Sequence, residues 1–266
     1  MLPRAKSYWN YIFSDTITTL YLKFIDFFTL SSQTIKAIGR VRNLQHLGLV
    51  ISRWPSGDFE YKEAHPSCFH SLMVKAQVLK SLHVALVVSL PSKPDLVVAR
   101  ATYPAIAHLE VEVNYVDREE FLAISTALKP GLKLLSLQDS GLKLLSLHDS
   151  RETDFQLLLP VYETLRETLQ GLAVTRPRPL EPILHLSLPK LRMLVIHWFD
   201  SSFDLMTQAL FSQSPIKIIA IGCISARVNP ENFTLDTFAN WPQLKIISFY
   251  ESSTRLLATI HLPRGL

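Results

Sequence analysis

The chain has 266 residues, a formal net charge of +4 at pH 7, 48% hydrophobic residues and 19% charged residues. This composition is typical of a soluble, packed protein with a large core, and it excludes an intrinsically disordered chain. Lysine and arginine are scattered one or two at a time. A nucleic-acid-binding protein concentrates its cations on one face, so we expect no nucleic-acid partner.

Cysteine usage and hydropathy indicate the compartment. Cys68 and Cys223 are the two cysteines of the chain, which excludes a disulfide framework and favours a reducing, intracellular location in the cytoplasm or nucleus. The first ten residues lack the uninterrupted apolar stretch of a secretory signal. The longest aliphatic run, Val78 to Leu90, is interrupted by Lys80 and His83 and is shorter than the roughly 18 residues of a membrane span. We therefore expect no membrane partner.

A short motif with aliphatic residues at positions one, four and six recurs along the whole chain. Most windows start roughly 22 to 28 residues apart, which is the period of a strand-plus-helix repeat that must stack on copies of itself. The windows are Ile17/Leu20/Leu22, Leu44/Leu47/Leu49, Leu79/Leu82/Val84, Ile106/Leu109/Val111, Leu132/Leu135/Leu137, Leu142/Leu145/Leu147, Leu169/Leu172/Val174, Leu191/Leu194/Ile196, Ile216/Ile219/Ile221 and Leu244/Ile247/Phe249. Each window predicts a strand, except that the adjacent windows starting at Leu132 and Leu142 are treated together below.

The segments between windows are predicted to be helical. The clearest is Asp117 to Lys129, which has acids in its first turn, an apolar face, and Pro130-Gly131 to end it. Helices are also predicted over residues 29–41, 153–168, 203–211 and 232–239, with Pro160 bending or dividing the third of these. The predicted fold is α/β: a single solenoid domain over residues 1–266, with parallel strands on one face and helices on the other.

Two windows, Leu44 to Leu49 and Leu191 to Ile196, resemble leucine-rich repeats. The proline-led form that begins at Pro189 is similar to the irregular leucine-rich repeats of fungal F-box-type proteins. The position three residues after the last aliphatic, where regular repeats carry Asn or Cys, holds asparagine here at Asn114 alone, so the resemblance implies an irregular arc. It also implies a substrate-recognition or adaptor role in a ubiquitin-ligase-type assembly, although the F-box itself is not visible in the sequence.

Residues 131–140 are followed at once by the same ten residues with His148 in place of Gln138. Ten residues are too few for a strand-plus-helix repeat, so the segment is interpreted as an in-frame duplication. One copy is predicted to occupy the strand, while the other forms a loop or a hairpin through the turn-forming residues Asp139-Ser140-Gly141. The sequence leaves open whether the duplication is functional.

Catalytic and metal-binding motifs are absent from the sequence, which has no nucleophile elbow, phosphate loop or paired Cys-x-x-Cys units. The closest cluster is His65, Cys68 and His70. A zinc site needs a fourth ligand, so the cluster is interpreted as a proline-containing surface loop. We expect no catalytic residue, no metal and no cofactor, and hence not an enzyme.

In each window, positions three, five and seven are predicted to point away from the core. We call the side chains at these positions the strand face, and we predict that it is a concave surface that binds a protein partner. Five of the chain's nine histidines fall on it, and chance clustering is the alternative explanation. The candidate residues are Tyr21, Lys23, His46, His83, His108, Glu110, Glu112, His148, Thr175, His197 and Tyr250.

Three functional hypotheses remain open at the level of sequence. The leading one is a protein-recognition module of the leucine-rich-repeat type. The second is a truncated or decaying repeat protein with no dedicated partner, and the third, a minor one, is a hydrolase that uses histidine and aspartate side chains. The identity of the partner and the oligomeric state are left open.

Overall fold

The structure is a computed structural model that describes residues 16–24, 32–51, 66–85, 103–112, 118–138, 155–197, 208–223, 241, 243–251 and 255–262. Residue contacts divide the chain into two compact units. The first comprises Met1–Glu110 and Tyr115–Gly131, and the second comprises Val111–Asn114 and Leu132–Leu266. Each unit is described by itself below. The prediction of a single domain over residues 1–266 stays a prediction.

The described residues form ten strands, and every described window of the aliphatic motif carries one of them. The bounds are β1 Thr19–Phe24, β2 His46–Ile51, β3 Ser81–Ala85, β4 His108–Glu112, β5 Leu134–Gln138, β6 Gly171–Val174, β7 Met193–Ile196, β8 Ile218–Cys223, β9 Ile246–Glu251 and β10 Arg255–His261. The window Leu142/Leu145/Leu147 lies outside the described residues.

Neighbouring strands pair in chain order within each unit. In the first unit β1, β2 and β3 are parallel, with Tyr21 opposite Gly48 and Gly48 opposite His83. The first residues of β4 follow β3, where the backbone N–H of His108 donates to the carbonyl of Lys80. In the second unit β5 to β9 are parallel and in order, and this confirms the predicted α/β fold class.

Five α-helices lie between these strands in the described ranges. They are α1 Ser32–Ile38, α2 Pro66–Lys75, α3 Arg118–Leu128, α4 Leu159–Leu165 and α5 Ala209–Gln213, with 3₁₀ helices at Phe155–Leu158 and Arg178–Ile183. The prediction for Asp117 to Lys129 agrees with α3 to within one residue. Pro160 lies in the first turn of α4, just after the first 3₁₀ helix, so it divides the segment as predicted. The helix predicted over residues 232–239 lies outside the described residues.

The aliphatic positions of the motif form the core. Leu47, Leu82 and Leu109, at position four of successive windows, are almost fully buried, and so are the corresponding Leu172 and Leu194 in the second unit. Helix residues complete each core; Ile38 of α1 and Leu72 of α2 are examples in the first unit. Side chains alternate across a strand, so burial of positions four and six places the helices on that side and leaves positions three, five and seven on the other. Among the described windows, only the first departs from this pattern, since Ile17, Leu20 and Leu22 are half-buried.

No window of the aliphatic motif covers β10, which runs antiparallel to β9 because residues 252–254 are too few for the crossover that a parallel pair needs. One interpretation of the sequence was wrong. The segment around Cys68 and His70 was interpreted as a surface loop but belongs to α2, whose first residue is Pro66. Proline suits the first position of a helix, where its missing N–H would have no intrahelical partner.

The first copy of the duplicated decapeptide provides β5, as predicted for one of the two copies. The second copy, residues 141–150, lies outside the described residues. None of the helices in the described ranges is both long and apolar enough to span a membrane.

Candidate functional site on the strand face

The candidate residues fall into two groups, one in each unit. The first unit contains Tyr21 on β1, His46 on β2, His83 on β3, and His108 and Glu110 on β4. All five side chains are exposed or half-buried, as their positions in the motif predict.

The second unit contains Glu112 at the end of β4, Thr175 after β6, His197 after β7 and Tyr250 on β9, each of them half-buried. Lys23 lies on β1, but its side chain is not described. His148 lies outside the described residues.

A tyrosine and a histidine meet across an intervening strand in the first unit. Tyr21 on β1 and His83 on β3 are both opposite Gly48 on β2. The Tyr21 hydroxyl forms a hydrogen bond with Nδ1 of His83, and the two rings lie edge to face with centroids 5.5 Å apart. A methyl group at position 48 would collide with the Tyr21 ring, so glycine provides the space through which the ring crosses β2. We call this arrangement of Tyr21, Gly48 and His83 the first bridge.

Glu110 extends the first bridge to β4. Its Oε2 lies 3.8 Å from Nδ1 of His83, the same nitrogen that forms the hydrogen bond with Tyr21. The His83 side chain is 13% exposed and that of Glu110 is 24% exposed. Nε2 of His83 is buried and has no hydrogen-bond partner among the described residues. A tyrosine, an imidazole and a carboxylate are thus in line across four strands.

Burial lowers the pKa of His108 below that of an ordinary imidazole. Glu110 opposes this effect, whereas His83 and His46 add to it by repelling a positive charge. His108 also exchanges a hydrogen bond of 3.3 Å with the hydroxyl of Ser81 through Nδ1. Desolvation and the charge of Glu110 raise the pKa of the Tyr21 hydroxyl. The five candidate residues of the first unit therefore form one electrostatically coupled cluster.

The second unit repeats the arrangement with the order reversed. His197 follows β7, Gly222 lies on β8, and Tyr250 lies opposite Gly222 on β9. The Tyr250 hydroxyl lies 3.1 Å from Nδ1 of His197 and donates to the carbonyl of Ile196 at 3.3 Å. The rings are again edge to face, with centroids 6.0 Å apart. We call His197, Gly222 and Tyr250 the second bridge.

The glycine of the second bridge is confined more tightly than Gly48. A Cβ at Gly222 would overlap the backbone carbonyl oxygen of His197 and would lie 2.9 Å from Cε2 of Tyr250. Main chain cannot swing aside as a side chain can, so the close approach of these strands requires glycine.

Thr175 lies outside both bridges. Its hydroxyl is 3.4 Å from the carbonyl of Leu137, to which its backbone N–H also donates at 3.0 Å. These hydrogen bonds connect the end of β6 to β5, so Thr175 has a structural role in addition to the predicted role in partner binding.

Sequence reasoning missed both glycines, because it selected side chains by their chemistry. A signal was nevertheless present. Gly48 and Gly222 occupy positions five and seven of their windows, where an exposed strand position would ordinarily carry a side chain. Glycine weakens a strand and often occurs where another group approaches the backbone closely, so these two glycines indicate where such an approach takes place.

Among the described side chains, no three histidine, cysteine or acidic residues are grouped so as to hold a metal ion. His65 lies outside the described residues, and the side chains of Cys68 and His70 are not described. The described cluster places imidazoles, a carboxylate and an exposed aromatic ring on one face. The absence of enzymatic activity stays a prediction.

No protein-family model matches the chain. No curated protein matches it. Among solved structures, the chain is similar to the leucine-rich repeat-containing protein LegL7 from Legionella pneumophila, with a TM-score of 0.45 and 11% sequence identity over 88% of this chain and 85% of that chain. The fold class therefore stands on the strand order and the pattern of burial given above.

Proposed function

We propose that the chain is a protein-recognition module that binds its partner through the strand face. The observation that carries the proposal is the first bridge together with Glu110. It fixes an aromatic ring, an imidazole and a carboxylate across four successive strands without the help of a loop. Tyr21 is 59% exposed although its hydroxyl is anchored to His83, so an aromatic group is held at the surface in one orientation. Anchored aromatic side chains contribute much contact area at a small entropic cost, which is why they are enriched in protein interfaces.

The more specific form of the proposal is a substrate-recognition or adaptor part of a ubiquitin-ligase-type assembly. It rests on the resemblance of the proline-led windows to the irregular repeats of fungal F-box-type proteins. In this form the strand face holds the substrate, and a separate surface or segment connects it to the ligase.

An affinity pull-down with quantitative mass spectrometry tests both levels. The bait is the wild-type chain, and the matched bait carries His83→Gln, His108→Gln and His197→Gln. A control bait carries substitutions at exposed helix positions, Gln33→Ala and Glu163→Ala. We expect a protein that is retained by the wild-type and control baits and is depleted on the strand-face variant. Equal recovery on all three baits, or no reproducible protein on any, would contradict recognition through this face. Ubiquitin-ligase subunits among the retained proteins would support the more specific form, and an unrelated partner would limit the proposal to a general recognition module.

A further inference from the structure

We infer that the second unit binds an acidic, aliphatic segment of its partner, which lies across β5 to β9 beside a row of cations and over a channel of small side chains. This inference deepens the proposed function, and it rests on it only in assigning the segment to a protein.

The fold brings together cations that are far apart in the sequence. Position two of each window is the residue just before the strand face begins. In the second unit these residues are in register, because the backbone N–H of each donates to the carbonyl of the one before it, at 2.7 or 2.8 Å. Their side chains are exposed or half-buried, and four of the five are cations. We call these residues the basic row: Lys133, Gln170, Arg192, Lys217 and Lys245.

The basic row makes one end of the strands positive. Neighbouring strands are about 4.8 Å apart, so the row spans about 19 Å, and the potentials of its charges add over that distance. Nη1 of Arg192 donates to the carbonyl of Pro215 at 3.4 Å, which holds the guanidinium beside the row without neutralising it. Among the strand residues of this unit, the described acids are Glu112 at the end of β4 and Glu251 at the end of β9, away from the row. An anionic ligand is therefore attracted to the end where the strands begin.

An aliphatic surface lies next to the basic row. It is formed by position three of the same windows, and these residues pair directly across β5 to β9. A Cβ at Gly171 would lie 2.5 Å from Cδ1 of Leu134 and 3.3 Å from Cε of Met193, so these two side chains close over the glycine and make the surface continuous. The residues are Leu134, Gly171, Met193, Ile218 and Ile246.

Position five provides a shallow channel beyond this aliphatic surface. Its side chains are uncharged, half-buried and no larger than valine. The contact between Tyr250 and His197 in the second bridge borders the channel at position seven and fixes that wall. The channel can accept aliphatic side chains without having to order its own first. Its residues are Ser136, Ala173, Val195, Ala220 and Ser248.

This combination of surfaces favours an extended peptide over a nucleic acid. An extended chain rises about 3.3 Å per residue and turns alternate side chains to opposite sides, so six or seven residues span about 19 Å. Acids on one side then meet the basic row, while aliphatic residues on the other side enter the channel. A surface that binds single-stranded nucleic acid places aromatic rings beside its cations to stack on the bases, whereas the positions beside the basic row are aliphatic.

The test uses three capped heptapeptides that carry a fluorescent label. The first alternates glutamate with leucine, starting and ending with glutamate; the second has glutamine for glutamate, and the third has serine for leucine. A labelled thymidine oligonucleotide of twelve residues is the nucleic-acid probe. Fluorescence anisotropy measures binding of each probe to the full-length chain at pH 7.5. We expect the glutamate–leucine peptide to bind about tenfold more tightly than either other peptide, and more tightly than the oligonucleotide. Added salt should weaken this peptide more than the glutamine–leucine peptide, because salt screens exposed charges.

Variants locate the site. Lys217→Gln combined with Lys245→Gln should weaken the glutamate–leucine peptide about tenfold. The matched pair, Lys36→Gln with Lys75→Gln, removes the same charge from exposed positions on α1 and α2 and should leave binding unchanged.

Filling the channel tests its part in binding. Ala220→Leu, on β8, should also weaken the glutamate–leucine peptide about tenfold, since its larger side chain occupies the space meant for the ligand. Far-ultraviolet circular dichroism and thermal unfolding establish that each variant is folded. If Ala220→Leu does not fold, Ser248→Leu makes the same test from β9.

The inference is overturned if the glutamate and glutamine peptides bind alike, if the two lysine pairs behave alike, or if the oligonucleotide binds most tightly. Its failure is distinguishable from failure of the proposed function. A partner that depends on the strand face, found together with no preference for the acidic peptide, would leave recognition standing and remove this site. A preference for the acidic peptide without any partner in the pull-down would leave the site standing and remove the proposed function.

Discussion

Replacing Leu194 with alanine should destabilise the chain far more than a change at the next residue, Val195. Leu194 is at position four of its window, is fully buried, and lies opposite Leu172 on β6 and Ile219 on β8. The substitution removes three carbon atoms, each worth about 0.8 kcal/mol of transfer free energy. Both neighbours are also fully buried and β-sheet pairing holds them in place, so the cavity closes poorly and raises the cost to about 2–5 kcal/mol.

Val195→Thr is the matched control. Val195 is half-buried, and its strand neighbours are the small residues Ala173 and Ala220, so the change should stay within about 0.5 kcal/mol. Urea denaturation, followed by circular dichroism, measures the free energies of unfolding of the wild type and both variants. The values are comparable if the dependence of this free energy on urea concentration is similar in the three proteins. A larger loss for Val195→Thr than for Leu194→Ala would refute the register on which the strand face depends.

Three further changes test other parts of the structure. Gly222→Ala should lower the free energy of unfolding by more than about 2 kcal/mol because its methyl group meets main chain, whereas Gly48→Ala meets the exposed ring of Tyr21 and should cost under about 1 kcal/mol. Thermal unfolding compares the two variants, and a larger loss for Gly48→Ala would count against both bridges. Because the pKa of His108 is lowered in the folded chain, the unfolded chain binds the proton at a higher pH, and the free energy of unfolding should fall as the pH drops below about 6.5. Urea denaturation at pH 7.5 and 5.0 should show a smaller loss of this free energy for His108→Gln than for the wild type, and equal losses would contradict the prediction. Deletion of residues 141–150 should give a folded protein of unchanged or slightly greater stability in the same assay, since the connection from β5 to the 3₁₀ helix at Phe155 becomes shorter, and an aggregated product would mean that both copies are structural.

The strands were predictable because burial requires apolar side chains at fixed positions. In a repeat whose strands pair in parallel, positions four and six of every window meet their counterparts in the next, as Leu47 and Leu82 do. These apolar positions can be read directly from the sequence. The direction of β10 was not predicted, because it follows from the length of the connection after β9 and not from any aliphatic motif.

The sequence predicted which side chains share one face of the strands, but it did not predict their geometry. Period-two alternation places Tyr21, His83 and Glu110 on one face, yet it does not say which of them touch. The contact between Tyr21 and His83 depends on Gly48, a residue with no side chain to suggest a function. The lowered pKa of His108 likewise depends on burial and on neighbours from three strands, which no local pattern records. Pairwise geometry across strands therefore had to come from the structure.

Site-specific photo-cross-linking tests recognition through the strand face most directly. A benzoylphenylalanine replaces His46, an exposed strand-face residue on β2, in one protein and Lys36, an exposed residue on α1, in another. Both proteins are irradiated in an extract of the source cells, and adducts are identified by mass spectrometry. We expect a partner adduct from position 46 and none from position 36. An adduct from position 36 alone, or equal adducts from both, would contradict recognition through the strand face.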